Sequence, residues 1–249
     1  MTQTPPPTLD LREIALFLDY DGTLIPYGGS ALMQSRPDPT LPPLLDRLIE
    51  GTSRATALVS GRGVAELEAL IAPTRLPISG THGAELRQTA DAELEVLFPT
   101  EGLEELVAVW EKLAAGMPGL RLEVKHMTLV VHYHDLVNRK DEILEHSQHI
   151  SETRPAFAPQ AGHGCIEFKP AGADKGLGIA RLMELETFAG RRPVFIGDDI
   201  PDEAGFAVVN SLGGISIRVG AGETQARHRL YDVAALRGWL GALAEFPSR

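Results

Sequence analysis

Ile14-Ala15-Leu16-Phe17-Leu18-Asp19-Tyr20-Asp21-Gly22-Thr23 is an unbroken apolar run that ends in two carboxylates, a glycine and a threonine. Apolar residues without alternation suit a strand covered on both faces, the condition of a strand inside a parallel sheet. Two further runs obey the same rule: Ala55-Thr56-Ala57-Leu58-Val59 stops at Ser60-Gly61, and Pro193-Val194-Phe195-Ile196 stops at Gly197-Asp198. Helical spacings lie between them, in Leu44, Leu45 and Leu48, in Val64, Leu67, Leu70 and Ile71, and in Ile179, Leu182, Met183 and Leu185. Strands alternating with helices predict an α/β fold with a doubly wound, mostly parallel sheet. Ligands of such sheets bind beyond the carboxyl ends of the strands, where these polar residues gather. Ile215-Ser216-Ile217-Arg218-Val219 reads as a late strand and residues 233–243 as a closing helix.

The middle of the chain has a different pattern. Arg121-Leu122-Glu123-Val124-Lys125 alternates apolar with charged, and Leu129-Val130-Val131-His132-Tyr133-His134 can pair with it as a hairpin across His126-Met127. Residues 154–159 and 165–169 are expected to add strands, and two helical stretches of moderate amphipathicity separate the strands. We therefore expect a core built from residues 1–87 and 172–249, interrupted by a smaller α+β domain over residues 88–171. His132 and His134 share strand spacing, but an ordinary exposed sheet edge accounts for them, and they are assigned no metal.

The 249 residues, 43% hydrophobic and 23% charged, are enough for a sizeable core. A formal net charge of -11 argues against general affinity for nucleic acid, since phosphate backbones are held by clustered Lys and Arg. The single cysteine, Cys165, excludes an internal disulfide and a Cys-based zinc site. Residues 1–7 lack a basic segment followed by an apolar one, and no apolar run approaches membrane-spanning length. A cytoplasmic monomer with no membrane partner and a disordered proline-rich arm is expected.

Asp19 and Asp21, two residues apart at a strand end, suit two tasks. Asp19 can attack phosphorus as a carboxylate nucleophile, and Asp21 can protonate the leaving oxygen and later deprotonate water. Gly22 permits the tight turn. Gly197-Asp198-Asp199-Ile200-Pro201-Asp202 brings more carboxylates to the same sheet edge, and hard oxygen ligands select Mg²⁺. Lys175 at a helix start and Ser60 at a strand end supply the positive and hydroxyl groups that an acidic protein must concentrate to hold a phosphate. Gly172 to Gly178 lacks the nucleotide fingerprints, so no nucleotide cofactor is expected.

The ordered set Asp-x-Asp-Gly-Thr, Ser-Gly-Arg, Lys, Gly-Asp-Asp-x-x-Asp resembles the haloacid dehalogenase superfamily, and the insert resembles the type 2 cap of its sugar phosphatases. The resemblance implies a Mg²⁺ held by Asp19, the main-chain carbonyl of Asp21 and Asp198, with Gly22, Thr23, Asp199 and Asp202 in support. Ser60-Gly61-Arg62, Gly80-Thr81-His82-Gly83-Ala84-Glu85, Glu123-Val124-Lys125, His132-Tyr133-His134, Ile166-Glu167-Phe168-Lys169-Pro170 and Asp174-Lys175-Gly176 resemble the trehalose 6-phosphate phosphatase family. That family usually has Thr where Pro201 stands and Arg where His134 stands. The resemblance implies that Glu123, Lys125 and Glu167 grip sugar hydroxyls, that Gly61, Arg62, His82 and Gly83 contribute to substrate binding, and that a trehalose-phosphate synthase is the pathway partner. Two alternatives stay open: a phosphatase acting on sucrose phosphate, mannosyl-phosphoglycerate or a hexose phosphate, and a phospho-acceptor or sugar-phosphate sensor domain, against which the second carboxylate, Asp21, argues.

Overall fold

The apolar run becomes β1 (Ile14–Leu18), buried along its whole length as a central parallel strand must be. The computed structural model describes residues 4–26, 36–89, 91–162 and 164–245. After β1 come α1 (Leu41–Gly51), β2 (Thr56–Val59), α2 (Val64–Ile71), β3 (Ile78–Gly80), β4 (Glu85–Arg87) and β5 (Glu95–Val96). An insertion then contributes α3 (Leu103–Ala115), β6 (Arg121–Val124), β7 (Leu129–His132), α4 (Lys140–Thr153), β8 (Phe157–Gly162) and β9 (Cys165–Pro170). The chain ends with α5 (Lys175–Met183), β10 (Arg192–Gly197), α6 (Asp202–Ser211), β11 (Ile215–Val219), β12 (His228–Leu230) and α7 (Val233–Glu245).

The main sheet runs β12-β11-β10-β1-β2-β3-β4-β5, parallel from β12 to β3 and antiparallel between β3 and β4. The expected α/β class is borne out. Successive residues of β1 point to opposite faces, and each face has its own cover. Leu16 and Leu18 pack in one cluster with Leu45 and Leu48 of α1, Leu67 and Ile71 of α2, and Leu236 and Leu240 of α7. On the other face Phe17 stacks on Phe188 at 5.4 Å between ring centroids, and Phe195 meets Phe206 of α6 at 5.3 Å. Complete burial of each such side chain contributes about 1.5–3 kcal/mol. Pro42 and Pro43 fall in the first turn of α1, where backbone N–H groups have no helical partner to lose.

The fold divides into two units, Met1–Glu95 with Asp174–Arg249, and Val96–Ala173. The insertion thus begins at Val96 rather than at 88, because β4 and β5 still extend the main sheet, and it ends at Ala173 rather than at 171. Its antiparallel sheet runs β6-β7-β9-β8. Leu129, Val131, Ile166 and Phe168 pack from one sheet face against Leu106 and Trp110 of α3 and Ile143 and Ile150 of α4. The strand expected at residues 154–159 begins instead at Phe157, where α4 and its closing turn have ended. β7 is an interior strand, so the expected exposed edge at His132 is corrected: its side chain is buried. His134 lies outside β7, beside Arg121 and Asp135. Of the expected N-terminal arm, residues 1–3 lie outside the described residues, and Thr4 forms a parallel bridge with His228 rather than hanging free. Among the described residues, no helix is long and apolar enough to cross a membrane.

Candidate active site

Sheet order makes the site. β1 is flanked by β2 on one side and β10 on the other, so the strand order reverses at β1, the place where a doubly wound sheet opens a crevice beyond its carboxyl ends. Asp19, Ser60 and Asp198 are the residues that follow these three strands. The Asp19 amide still donates to the Ile196 carbonyl of β10 at 3.0 Å, and the Ser60 amide to Ser79 at 3.0 Å, so their positions are set by the sheet itself.

Asp19 is buried, and Lys175 Nζ donates to its Oδ1 at 2.7 Å and to Asp202 Oδ1 at 2.6 Å. Lys175 stands at the first position of α5, whose start is capped by Asp174 accepting from the Leu177 amide at 2.8 Å. Asp202, in the first turn of α6, accepts from the amides of Asp198 and Asp199 at 2.8 and 3.0 Å, which folds the Gly197–Asp202 turn back on itself. Thr23 Oγ1 lies 3.0 Å from Asp198 Oδ1 and 3.3 Å from Asp19 Oδ2 and ties the two carboxylates together. Gly22 has φ +74°, and a Cβ there would strike the Asp198 carboxylate, so both conformation and space demand glycine.

Asp19, Asp198 and Asp202 each offer an oxygen within 4.8 Å of the others. Burial pushes the Asp19 carboxyl well above the ordinary carboxylate range, Asp202 and Asp198 add to the rise, and Lys175 opposes it. Asp198 is pushed up to about 6, first by burial and then by Asp202. Burial works against the Lys175 ammonium, but Asp19 and Asp202 outweigh it and raise its pKa. Three carboxylates facing one ammonium leave excess negative charge in a site where Asp19, Asp202 and Lys175 are buried and Asp198 is half-buried. A small divalent cation with a preference for oxygen fits that donor set. Asp19 and Asp198 of the implied set stand in this cluster with Asp202, and the Asp21 carboxylate turns to Arg62, which leaves untouched the implied role of its main-chain carbonyl.

Asp21 forms a bidentate pair with Arg62, Nε to Oδ2 at 2.5 Å and Nη2 to Oδ1 at 2.8 Å. Arg62 also pairs with Glu66 and lies 5.7 Å over the Tyr20 ring. The Ser60 hydroxyl accepts from the Arg62 amide at 3.3 Å, and the His82 amide donates to the Ser60 carbonyl at 2.9 Å. A Cβ on Gly61 would run into the His82 imidazole, so glycine lets the two loops touch, while Gly83 abuts the Asp174 backbone. The core residues named from sequence therefore converge on the end of β1 through contacts among Asp19, Asp21, Thr23, Ser60, Gly61, Arg62, His82, Lys175, Asp198, Asp199 and Asp202. The Arg62 to Asp21 pair was not foreseen, because 41 residues separate them and only the β1 to β2 pairing brings them together.

In the second unit, Glu123 of β6 and Glu167 of β9 both stand opposite Val130 of β7 and so share one sheet face. Lys125 Nζ lies 4.0 Å from Glu123 Oε1 and 4.0 Å from Glu167 Oε1. Thr128 donates to Glu167 at 2.9 Å, and His132 Nε2 meets Glu123 Oε2 at 2.9 Å. Thr128 and His132 carry no role in the sequence reading; each stands two residues from Val130, Thr128 just before β7 and His132 at its end, and that strand alternation is the signal that points to them.

A doubly wound core with carboxylates from β1 and the β10 to α6 turn meeting a lysine, interrupted by an α+β unit, defines a chain of the haloacid dehalogenase type. It belongs to the trehalose-phosphatase family, whose model matches residues 17–234. The chain is 38% identical over 247 residues to the trehalose-6-phosphate phosphatase of Escherichia coli K12, with 96% of this chain and 89% of that protein covered. It is 37% identical over 240 residues to a probable trehalose-phosphate phosphatase of Sinorhizobium fredii, covering 94% and 89%. The C-terminal domain of the Candida albicans trehalose-6-phosphate phosphatase shares the fold with a TM-score of 0.83 at 23% identity, over 95% of this chain and 94% of that one. The family named from the motifs is borne out.

Proposed function

We propose that this protein hydrolyses trehalose 6-phosphate to trehalose and inorganic phosphate through an aspartyl-phosphate intermediate. The observation that carries the reading is Asp19, a buried carboxylate at the end of the central strand, gripped by Lys175 beside Asp198 and Asp202. An Asp19 oxygen attacks phosphorus, the bond from phosphorus to the sugar oxygen breaks, and that oxygen takes a proton from Asp21. Asp21 then accepts a proton from water, whose oxygen attacks phosphorus; phosphate departs and the Asp19 carboxylate is restored. Two Lys175 N–H groups are committed to Asp19 and Asp202, which leaves the third for a phosphoryl oxygen. Ser60 supplies a hydroxyl for another, and Arg62 fixes the place of Asp21. Mg²⁺ held by Asp19, the main-chain carbonyl of Asp21 and Asp198, with Asp202 beside them, would reduce the repulsion between a carboxylate nucleophile and a phosphate dianion. EDTA is expected to remove activity and added Mg²⁺ to restore it, with the ion also raising the melting temperature because it binds the folded state; undiminished turnover after exhaustive chelation would count against the assignment.

Sugar selectivity is assigned to Glu123, Lys125 and Glu167, a combination of acceptors and a donor suited to hydroxyl groups. A trehalose-phosphate synthase would supply the substrate, and the setting we assign is the cytoplasm, with the chain acting as a monomer. Phosphate release measured across trehalose 6-phosphate, sucrose phosphate, mannosyl-phosphoglycerate and glucose 6-phosphate tests the reading, and faster turnover of any of the others would replace it. Glu167→Ala should lower the preference for trehalose 6-phosphate over p-nitrophenyl phosphate on the order of 10–100-fold, the worth of a charge-assisted hydrogen bond. Equal losses on the two substrates would mean that Glu167 does not read the sugar.

A further inference from the structure

His132 ends β7 on the sheet face that carries Glu123 and Glu167, two residues along the strand from Val130, which both glutamates oppose. Thr128 precedes Val130 by the same interval, so this one segment holds both carboxylates, Glu167 through the Thr128 hydroxyl and Glu123 through the His132 imidazole. Their surroundings differ in a telling way: the His132 side chain is 4% exposed and the Glu123 side chain 41%. A buried ring reaches outward to a carboxylate that solvent or a ligand can touch. The Glu123 carboxyl is held below its usual range first by this hydrogen bond, and because an ionised carboxylate can only accept, Nε2–H is the donor and Oε2 the acceptor. With Oε2 engaged, Oε1 lies 4.0 Å from Lys125 Nζ.

We propose that His132 is a positioning residue for sugar recognition, acting through Glu123 by holding its carboxylate in the orientation that presents Oε1 beside Lys125 to a hydroxyl of the sugar. The proposal rests on the reading of Glu123 as a sugar ligand. A glutamate on an open sheet face otherwise samples several rotamers, and a ligand that must select one of them loses affinity in proportion. Pre-organisation of this kind improves binding without touching the chemical step, so its loss raises KM and leaves kcat in place.

The test measures kcat/KM for trehalose 6-phosphate and p-nitrophenyl phosphate in the full chain carrying His132→Ala, His132→Gln, Glu123→Ala, or His132→Ala with Glu123→Ala. His132→Ala should lower the ratio of the two values about tenfold, through the KM for trehalose 6-phosphate. His132→Gln, whose amide sits near the Nε2 position, should recover most of it. In the Glu123→Ala background the same alanine change should cost less than about twofold, since contacting residues that act as a unit are not additive. Should the alanine variant fail to fold, His132→Asn, with a donor too short to reach Glu123, is expected to show the same loss. Independent, multiplying effects of the two substitutions, or equal losses on both substrates, would overturn the proposal while leaving the role of Glu123 intact. A Glu123→Ala variant with an unaltered ratio would overturn both.

Discussion

Asp19→Asn is expected to reduce phosphate release from trehalose 6-phosphate by at least about a thousandfold, because an amide oxygen is a poor nucleophile and no neighbouring carboxylate can take its place in line with phosphorus. Asp198 and Asp202 come close enough to share a cation with Asp19, but Asp202 is committed to the Asp198 and Asp199 amides and to Lys175. The variant should fold normally. Asn is isosteric with Asp, and it removes one negative charge from a cluster in which three carboxylates face one ammonium. Single-turnover phosphate release together with thermal unfolding provides the check, and residual turnover within tenfold of the wild type would exclude Asp19 as nucleophile.

Lys175→Met is expected to have the opposite effect on stability and the same effect on activity. The ammonium is buried between two buried carboxylates, at 2.7 Å from Asp19 and 2.6 Å from Asp202. Removing one partner of a buried ion pair leaves uncompensated charge at a cost of about 3–5 kcal/mol, whereas the methionine stem preserves the packing. For a chain of this length that corresponds to a fall of roughly 10 °C in melting temperature. Activity should fall with it, since both the grip on Asp19 and the donor for the phosphoryl group are lost. The contrast between the two substitutions is the informative result: of two residues in one ion pair, the acid is dispensable for stability and the base is not. A Lys175→Met protein that melts with the wild type would show that the cluster carries no net negative excess.

The strands that carry chemistry could be read from the chain because burial on both faces leaves a plain mark, an apolar run ending abruptly at polar residues, as at Leu18-Asp19, Val59-Ser60 and Ile196-Gly197. The short strands β3, β4 and β12, three residues each, carry too few positions for any period to register. The start of the insertion was misplaced for the same reason, since β5 has two residues. Asp202 illustrates a further limit. Its motif marked it as a companion of Asp198, yet its contact with Lys175 arises only where α5 and α6 pack together beneath the sheet edge.

Local sequence by itself determined the α/β class, the inserted unit, and the residue types at each strand end, because these follow from the burial and conformational preferences of contiguous residues. Tertiary structure alone decided the partners: Lys175 with Asp19 and Asp202, Arg62 with Asp21, and His132 with Glu123. Partnership depends on strand order and register, and those are settled by which apolar faces can be buried together rather than by the charged residues that the strands bring along.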